Sequence, residues 1–261
     1  MLLKDKTAII YGASGAVGST VAKAYAREGA RVFLAARTAE GLEPVATAIR
    51  AAGGKAEIAP VDATDKDAVD AHLTRIVGAA GPVKLMFNAI SWGTTQGTVL
   101  TEMDIEDFLR PGRTALTTWF YTGAALARHM RDNGGGAIVG LTANAGREPF
   151  SHVGGFGVAC AAVEHYLRQL ATENGQYGVR VTWVRSPGSP DSPGVRWSWQ
   201  LRADERGVSY ETIANEFAGR AALRKVTALA QVADAAVLLA SDLAAGMTAT
   251  AANATGGAQV D

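Results

Sequence analysis

The chain has 261 residues, 48% of them hydrophobic and 19% charged, with 25 lysines and arginines against 25 aspartates and glutamates. That apolar content excludes a disordered chain, and the charge balance supplies no basic face for nucleic acid. One cysteine excludes an internal disulfide framework and a cysteine metal centre, and no apolar run approaches the roughly 20 residues of a membrane span. The first residues do not read as a secretion signal, so a cytoplasmic protein with no metal is expected.

Short apolar runs alternate with amphipathic stretches along the chain. Residues 7–11 read as a buried strand, 12–18 as a turn rich in glycine, and 20–28 as a helix closed by Gly29. A second strand is expected over 31–36, a helix over 43–51, a third strand over 57–61 and a helix over 66–80. A fourth strand follows at 83–87. A long helix runs over 105–130, with Pro111 and Gly112 near its start or at a kink. Residues 136–141 and 179–184 read as the fifth and sixth strands, on either side of a helix over 155–174. A helix over 232–240 and a strand over 248–253 complete the pattern.

Buried strands joined by helical crossovers imply an α/β fold. The expected architecture is one Rossmann-type doubly wound parallel sheet in three layers, α/β/α, in a single domain over 1–261. In such a sheet, ligands bind at the carboxyl ends of the strands. Residues 189–224 break the rhythm with Pro190, Pro193, Trp197, Trp199, Tyr210 and Phe217. An aromatic insertion after a strand end reads as a substrate lid.

Gly12, Gly15 and Gly18 follow the first strand directly. Glycines there permit a tight turn and let backbone N–H groups approach a pyrophosphate at a helix N-terminus. The second strand ends in Ala36-Arg37-Thr38, with no carboxylate to accept from an NAD ribose. A guanidinium suits a 2′-phosphate through charge-assisted forked hydrogen bonds, which selects NADP(H); the plain alternative is a solvated surface arginine.

From about Lys4 to Gly257 the chain resembles the short-chain dehydrogenase/reductase family. Gly12, Gly15 and Gly18 match its glycine motif, and Asp62-Ala63 its acidic position beside the adenine. Asn88-Ala89 matches part of its Asn-Asn-Ala-Gly, and Pro187-Gly188 with Ser192 resembles its Pro-Gly-x-x-x-Thr. The resemblance implies a nicotinamide cofactor held by Gly12, Ser14, Gly15, Val17, Gly18, Arg37, Thr38, Asp62, Ala63, Asn88, Ala89, Pro187, Gly188 and Ser192. It also implies a homo-oligomer, a tetramer or dimer.

The family's chemistry uses Asn, Ser, Tyr and Lys. By the resemblance these positions fall on or near Ala115, on Ala143 with Thr142 one residue away, and on Phe156 and Cys160. No lysine occurs between Lys84 and Lys225, so a shift of alignment does not restore the pair. Candidate replacements are Thr142, as a donor to a substrate oxygen, and His152, as a proton source near neutral pH. Their plain alternatives are a strand-end threonine and a loop histidine without a partner. Cys160 reads as a small packed residue, Asp191 as a turn residue, and His129 and His165 as helix-surface residues. Trp92, Trp119, Tyr121, Trp197 and Trp199 are candidates to line a pocket for an apolar or aromatic small molecule.

Three functions stay open on this reading. The first is an NADPH-dependent reductase of an activated C=N, C=C or C=O bond with a non-standard active site. The second is a non-redox cyclase, isomerase or lyase on the same fold. The third is a catalytically silent subunit.

Overall fold

The structure, a computed structural model, describes residues 1–260. Seven parallel strands form one sheet: β1 (Thr7–Tyr11), β2 (Arg31–Ala36), β3 (Lys55–Pro60), β4 (Val83–Asn88), β5 (Gly136–Ala143), β6 (Val179–Ser186) and β7 (Thr250–Asn253). Their spatial order is β3-β2-β1-β4-β5-β6-β7. The order reverses between β1 and β4, which pair from Thr7 with Val83 to Tyr11 with Asn88. At such a switch point the outgoing connections diverge to opposite faces and leave a crevice at the carboxyl ends.

On one face lie α1 (Ala16–Arg27), α2 (Glu43–Ala51) and α8 (Leu229–Ala240), packed through Tyr25, Ile49 and Val232 onto Ile10, Leu34 and Val139. On the other lie α3 (Lys66–Ala80), α4 (Ile105–Asp132) and α5 (Phe156–Asn174), where Trp119, Leu167 and Trp183 fill the space above Ile138. The two apolar layers explain why the strands read as continuous hydrophobic runs rather than as alternating ones. No helix among the described residues is long and apolar enough to cross a membrane.

Boundaries move where polar residues take part in the fold. The first helix starts at Ala16, not at residue 20, so Gly18 sits inside its first turn. A side chain on Gly18 would overlap the backbone of Gly12, which explains the third glycine. Strands β5 and β6 each run two residues beyond expectation, through Thr142 and Arg185. Both side chains are buried and bonded to a carboxylate of α5, so they read as loop residues in sequence yet stay in the sheet. Strand β3 spans Lys55–Pro60 at the sheet edge, where proline is tolerated because one side of the strand needs no donor. Pro111 lies in the second turn of α4 without ending it. Between β6 and α8 the chain forms α6 (Pro193–Arg206) and α7 (Tyr210–Arg220), which enclose a small core of Trp199, Ala203 and Ile213.

Candidate active site

The loop after β1 is shaped by its glycines. Gly12 has φ +74°, and a Cβ there would lie 2.5 Å from the carbonyl oxygen of Ala89, so both the turn and the approach to the β4 exit require glycine. Gly15 caps α1 in extended conformation and no side chain caps the helix. Ala16 and Val17 therefore present the positive end of α1 at the cavity wall. Ser14 and Gly15 are exposed beside it.

Arg37 and Thr38 are exposed just past β2. Asp62 lies past the neighbouring β3, its Oδ1 accepting from the hydroxyl of Thr64 at 2.7 Å and from its N–H at 2.9 Å. Those bonds, with the nearby charge of Arg37, hold the Asp62 carboxyl below the usual carboxylate range. Asn88 is a brace: its Nδ2 donates to Thr122 on α4 at 3.1 Å and its Oδ1 accepts from the N–H of Ile90 at 3.0 Å. Ala63 is buried in the apolar layer on the α3 side of the sheet.

The ends of β1, β4, β5 and β6 surround a cavity of about 580 Å³, roofed by α6 and α7. Gly15, Val17, Ala89, Thr142, Phe156, Cys160, Pro187, Gly188 and Ser192 all line it. Phe156, at the start of α5, packs on Trp92 with ring centroids 5.9 Å apart. Burial pushes the Cys160 thiol up to about 12, an effect that the Ala143 hydrogen bond opposes and the Glu164 charge reinforces. Among the described residues the lining contains no tyrosine, lysine, histidine, aspartate or glutamate, and the one charged residue is Arg202.

Just behind the wall lies a charge cluster. Glu164 of α5 and Arg185 of β6 are both 2% exposed and joined by two hydrogen bonds, Nε to Oε1 at 3.0 Å and Nη2 to Oε2 at 2.9 Å. Arg168 adds a contact at 3.3 Å. Burial alone would raise the Glu164 carboxyl, but Arg185, Thr142 and Arg168 together hold it below its ordinary value. The Thr142 hydroxyl donates to Glu164 Oε1 at 3.0 Å, so its proton is committed to this cluster rather than to a substrate oxygen.

His152 is absent from the cavity lining. It sits at φ +62° with Nδ1 3.7 Å from the Glu205 carboxylate of α6, tying its loop to that helix. Asp191 neither caps α6 nor reaches the cavity: both its oxygens accept from the N–H of Leu229 at 3.1 Å, at the start of α8. Among the aromatic candidates, Trp92, Trp197 and Trp199 line the cavity, whereas Trp119 is core and Tyr121 packs on Phe120. His129 accepts from the N–H of Val83 at 3.0 Å, and His165 is exposed. Phe217 is named in the sequence only as part of the insertion over 189–224, and Arg202, Phe150 and the Glu164–Arg185 pair are not singled out there. Val195, Trp199 and Arg202 recur at i, i+4 and i+7, a periodicity that marks one helix face.

A doubly wound parallel sheet with a glycine turn at its first crossover defines the class of Rossmann-type α/β proteins. The family model for short chain dehydrogenase matches residues 6–198. The 2,3-dihydro-2,3-dihydroxybenzoate dehydrogenase of Bacillus subtilis (strain 168) is 28% identical over 252 residues, 94% of this chain and 93% of that protein. The cis-4-hydroxycyclohexanecarboxylate dehydrogenase of Sinomonas cyclohexanicum is 30% identical over 240 residues, 92% of this chain and 91% of that protein. A solved structure of the actinorhodin polyketide ketoreductase with NADPH superposes with TM-score 0.88 at 26% identity, over 97% of each chain. The chain belongs to the short-chain dehydrogenase family, and these relatives are oxidoreductases.

Proposed function

We propose that the chain is an NADPH-dependent oxidoreductase that reduces an activated C=N, C=C or C=O bond of a mid-sized apolar metabolite without a tyrosine–lysine pair. The observation that carries this reading is the cavity wall: the open helix end of α1 stands beside a lining with no tyrosine, lysine or histidine among the described residues. The volume suits a small molecule of drug-like or ring size. Two relatives act, by name, on six-membered-ring substrates, which supports a cyclic substrate here.

The residues present fit a dinucleotide phosphate. Gly12, Gly15 and the uncapped N-terminus of α1 would receive the pyrophosphate, Arg37 and Thr38 the 2′-phosphate, and Asp62 the adenine amino group. Pro187, Gly188 and Ser192 would hold the nicotinamide side. A reduced nicotinamide bound there supplies a hydride. Phe156 and Trp92 wall off water on one side without offering a proton, and the Cys160 thiol stays protonated across the neutral range. An iminium needs no acid when hydride arrives, whereas a ketone needs a proton for its developing alkoxide; loss of a positioned acid removes about 10²–10⁴-fold in rate. The protein thus favours substrates that are already activated, with solvent as the proton source for the rest.

Stopped-flow loss of NADPH absorbance over a panel of imines, enones and ketones tests the reading. Fastest turnover is expected with imines. No turnover of any substrate, with NADPH binding verified, overturns it. Arg37→Asp is expected to weaken NADPH about tenfold or more while leaving NADH nearly unchanged. An unaltered NADPH/NADH preference by calorimetric titration would remove the role given to Arg37.

A further inference from the structure

Among the described residues Arg202 is the one charge in the cavity wall. It stands on α6 one turn beyond Trp199, whose indole stacks on Phe217 of α7 with centroids 4.5 Å apart and planes 4° apart. The guanidinium carbon lies 5.7 Å from the Phe217 ring centroid and 5.9 Å from that of Phe150. Two aromatic rings therefore hold the fork in place, at the lid side of the cavity. Burial and the nearby Arg220 push its pKa below the ordinary arginine value, with Glu205 acting in the opposite direction. It remains a cation at neutral pH.

No described carboxylate pairs with it directly. Glu205, its neighbour on α6, faces His152 at 3.7 Å. Glu148 pairs with Arg220, and Asp204 accepts from Gln200 at 2.8 Å. Arg202 is half-buried and makes no hydrogen bond or ion pair with any described residue, so its forked donors are open to a ligand entering the cavity. Two more groups of the same wall are buried donors. The Ser189 hydroxyl and the Trp92 indole N–H, in residues 2% and 8% exposed, have no hydrogen-bond partner. Buried donors without partners are rare in folded proteins because each carries a desolvation penalty, and a ligand is the ordinary remedy at a site.

We infer that Arg202 anchors a substrate carboxylate, so that the substrate is a monoanionic carboxylic acid with an apolar body. The fork matches the two oxygens of a carboxylate, and one guanidinium balances one negative charge. The apolar body fits the remainder of the wall, where Val153, Phe156, Val195 and Trp199 stand. This assignment rests on the reading of the cavity as the substrate site, yet its test does not require turnover.

Isothermal titration of the full-length protein with cyclohexanecarboxylate and with cyclohexanecarboxamide, with and without saturating NADPH, compares an anion and a neutral molecule of equal shape. The wild type is expected to bind the carboxylate at least about tenfold more tightly than the amide, the scale of a charge-assisted forked contact. R202Q is expected to lose that preference and R202K to keep part of it. Equal or undetectable binding of the two ligands by the wild type overturns the assignment, as does a preference that survives in R202Q. If R202Q does not fold, the wild-type comparison and R202K still decide. The NADPH titration on the same samples separates the two proposals. A carboxylate preference without NADPH binding overturns the redox reading alone, and NADPH binding without the preference overturns the anchor alone.

Discussion

The thiol of Cys160 is fully buried one turn into α5, and its pKa stands at about 12. At pH 8 only about one molecule in ten thousand carries the thiolate, the form that reacts. The folded protein is therefore expected to resist iodoacetamide at pH 8, while the guanidinium-unfolded chain is alkylated. Rapid labelling of the native state, followed by mass spectrometry, would show the burial to be wrong. His72 on α3 makes a second titration statement. It is 4% exposed, its ring packs edge-on against Tyr11 at 5.9 Å, and neither ring nitrogen has a partner. Burial lowers its pKa to about 4, and the charge of Arg75 adds to the effect. Between pH 6.5 and 4 the unfolded chain binds a proton that the folded one refuses, so stability is fully present above 6.5 and falls as pH drops. The loss approaches about 3 kcal/mol at pH 4. His72→Phe is expected to flatten that part of the urea-midpoint profile; an unchanged slope would dismiss the assignment.

At the scale of elements, α5 is fastened to β5 and β6 by the Glu164 cluster. Glu164→Gln takes two charge-assisted hydrogen bonds from the buried Arg185, so it is expected to destabilise by about 1.5–3 kcal/mol, read from urea unfolding at pH 7. Glu164 is held below its unfolded pKa. Its contribution is therefore present above about pH 4.5 and lost as pH falls further, a loss the variant will not show. A variant as stable as wild type would mean that the pair is only a packing substitute. The same cluster explains what sequence reading could and could not reach. Strand interiors such as residues 7–11 and 31–36 were legible because one residue type fills both buried faces. The glycine turn was legible because its geometry is local. The last two residues of β5 and β6 were hidden, since Thr142 and Arg185 look like loop residues until a carboxylate 21 or 22 positions away satisfies them. Arg202 was hidden for a related reason: aromatics announced the insertion over 189–224, but which face of α6 turns inward depends on how it docks.

At the scale of the whole molecule, α4 carries exposed Leu116 and Phe120 one turn apart, and α5 carries exposed Val158. Such side chains on adjoining helices suit association with a second copy, in line with the homo-oligomer expected from the family. Sedimentation velocity is expected to show a dimer or tetramer, and Leu116→Asp with Phe120→Asp to shift it to a smaller species with unchanged circular dichroism. A wild type that sediments as a monomer at 100 micromolar (about 0.1 mM, a concentration at which micromolar association is complete) would end this expectation.

The small core of Trp199, Ala203 and Ile213 joins neither apolar layer of the sheet. The α6–α7 pair thus has an interior of its own and is tied to the rest of the chain at its rim, through Ser198 to Gln96 and Arg220 to Glu148. In architectural terms the molecule is divided into a frame, the sheet with its six flanking helices, and a cover, the α6–α7 pair. Residues of the cover such as Val195, Trp199 and Phe217 shape the cavity wall from outside the sheet, whereas the glycine turn and the strand register belong to the frame.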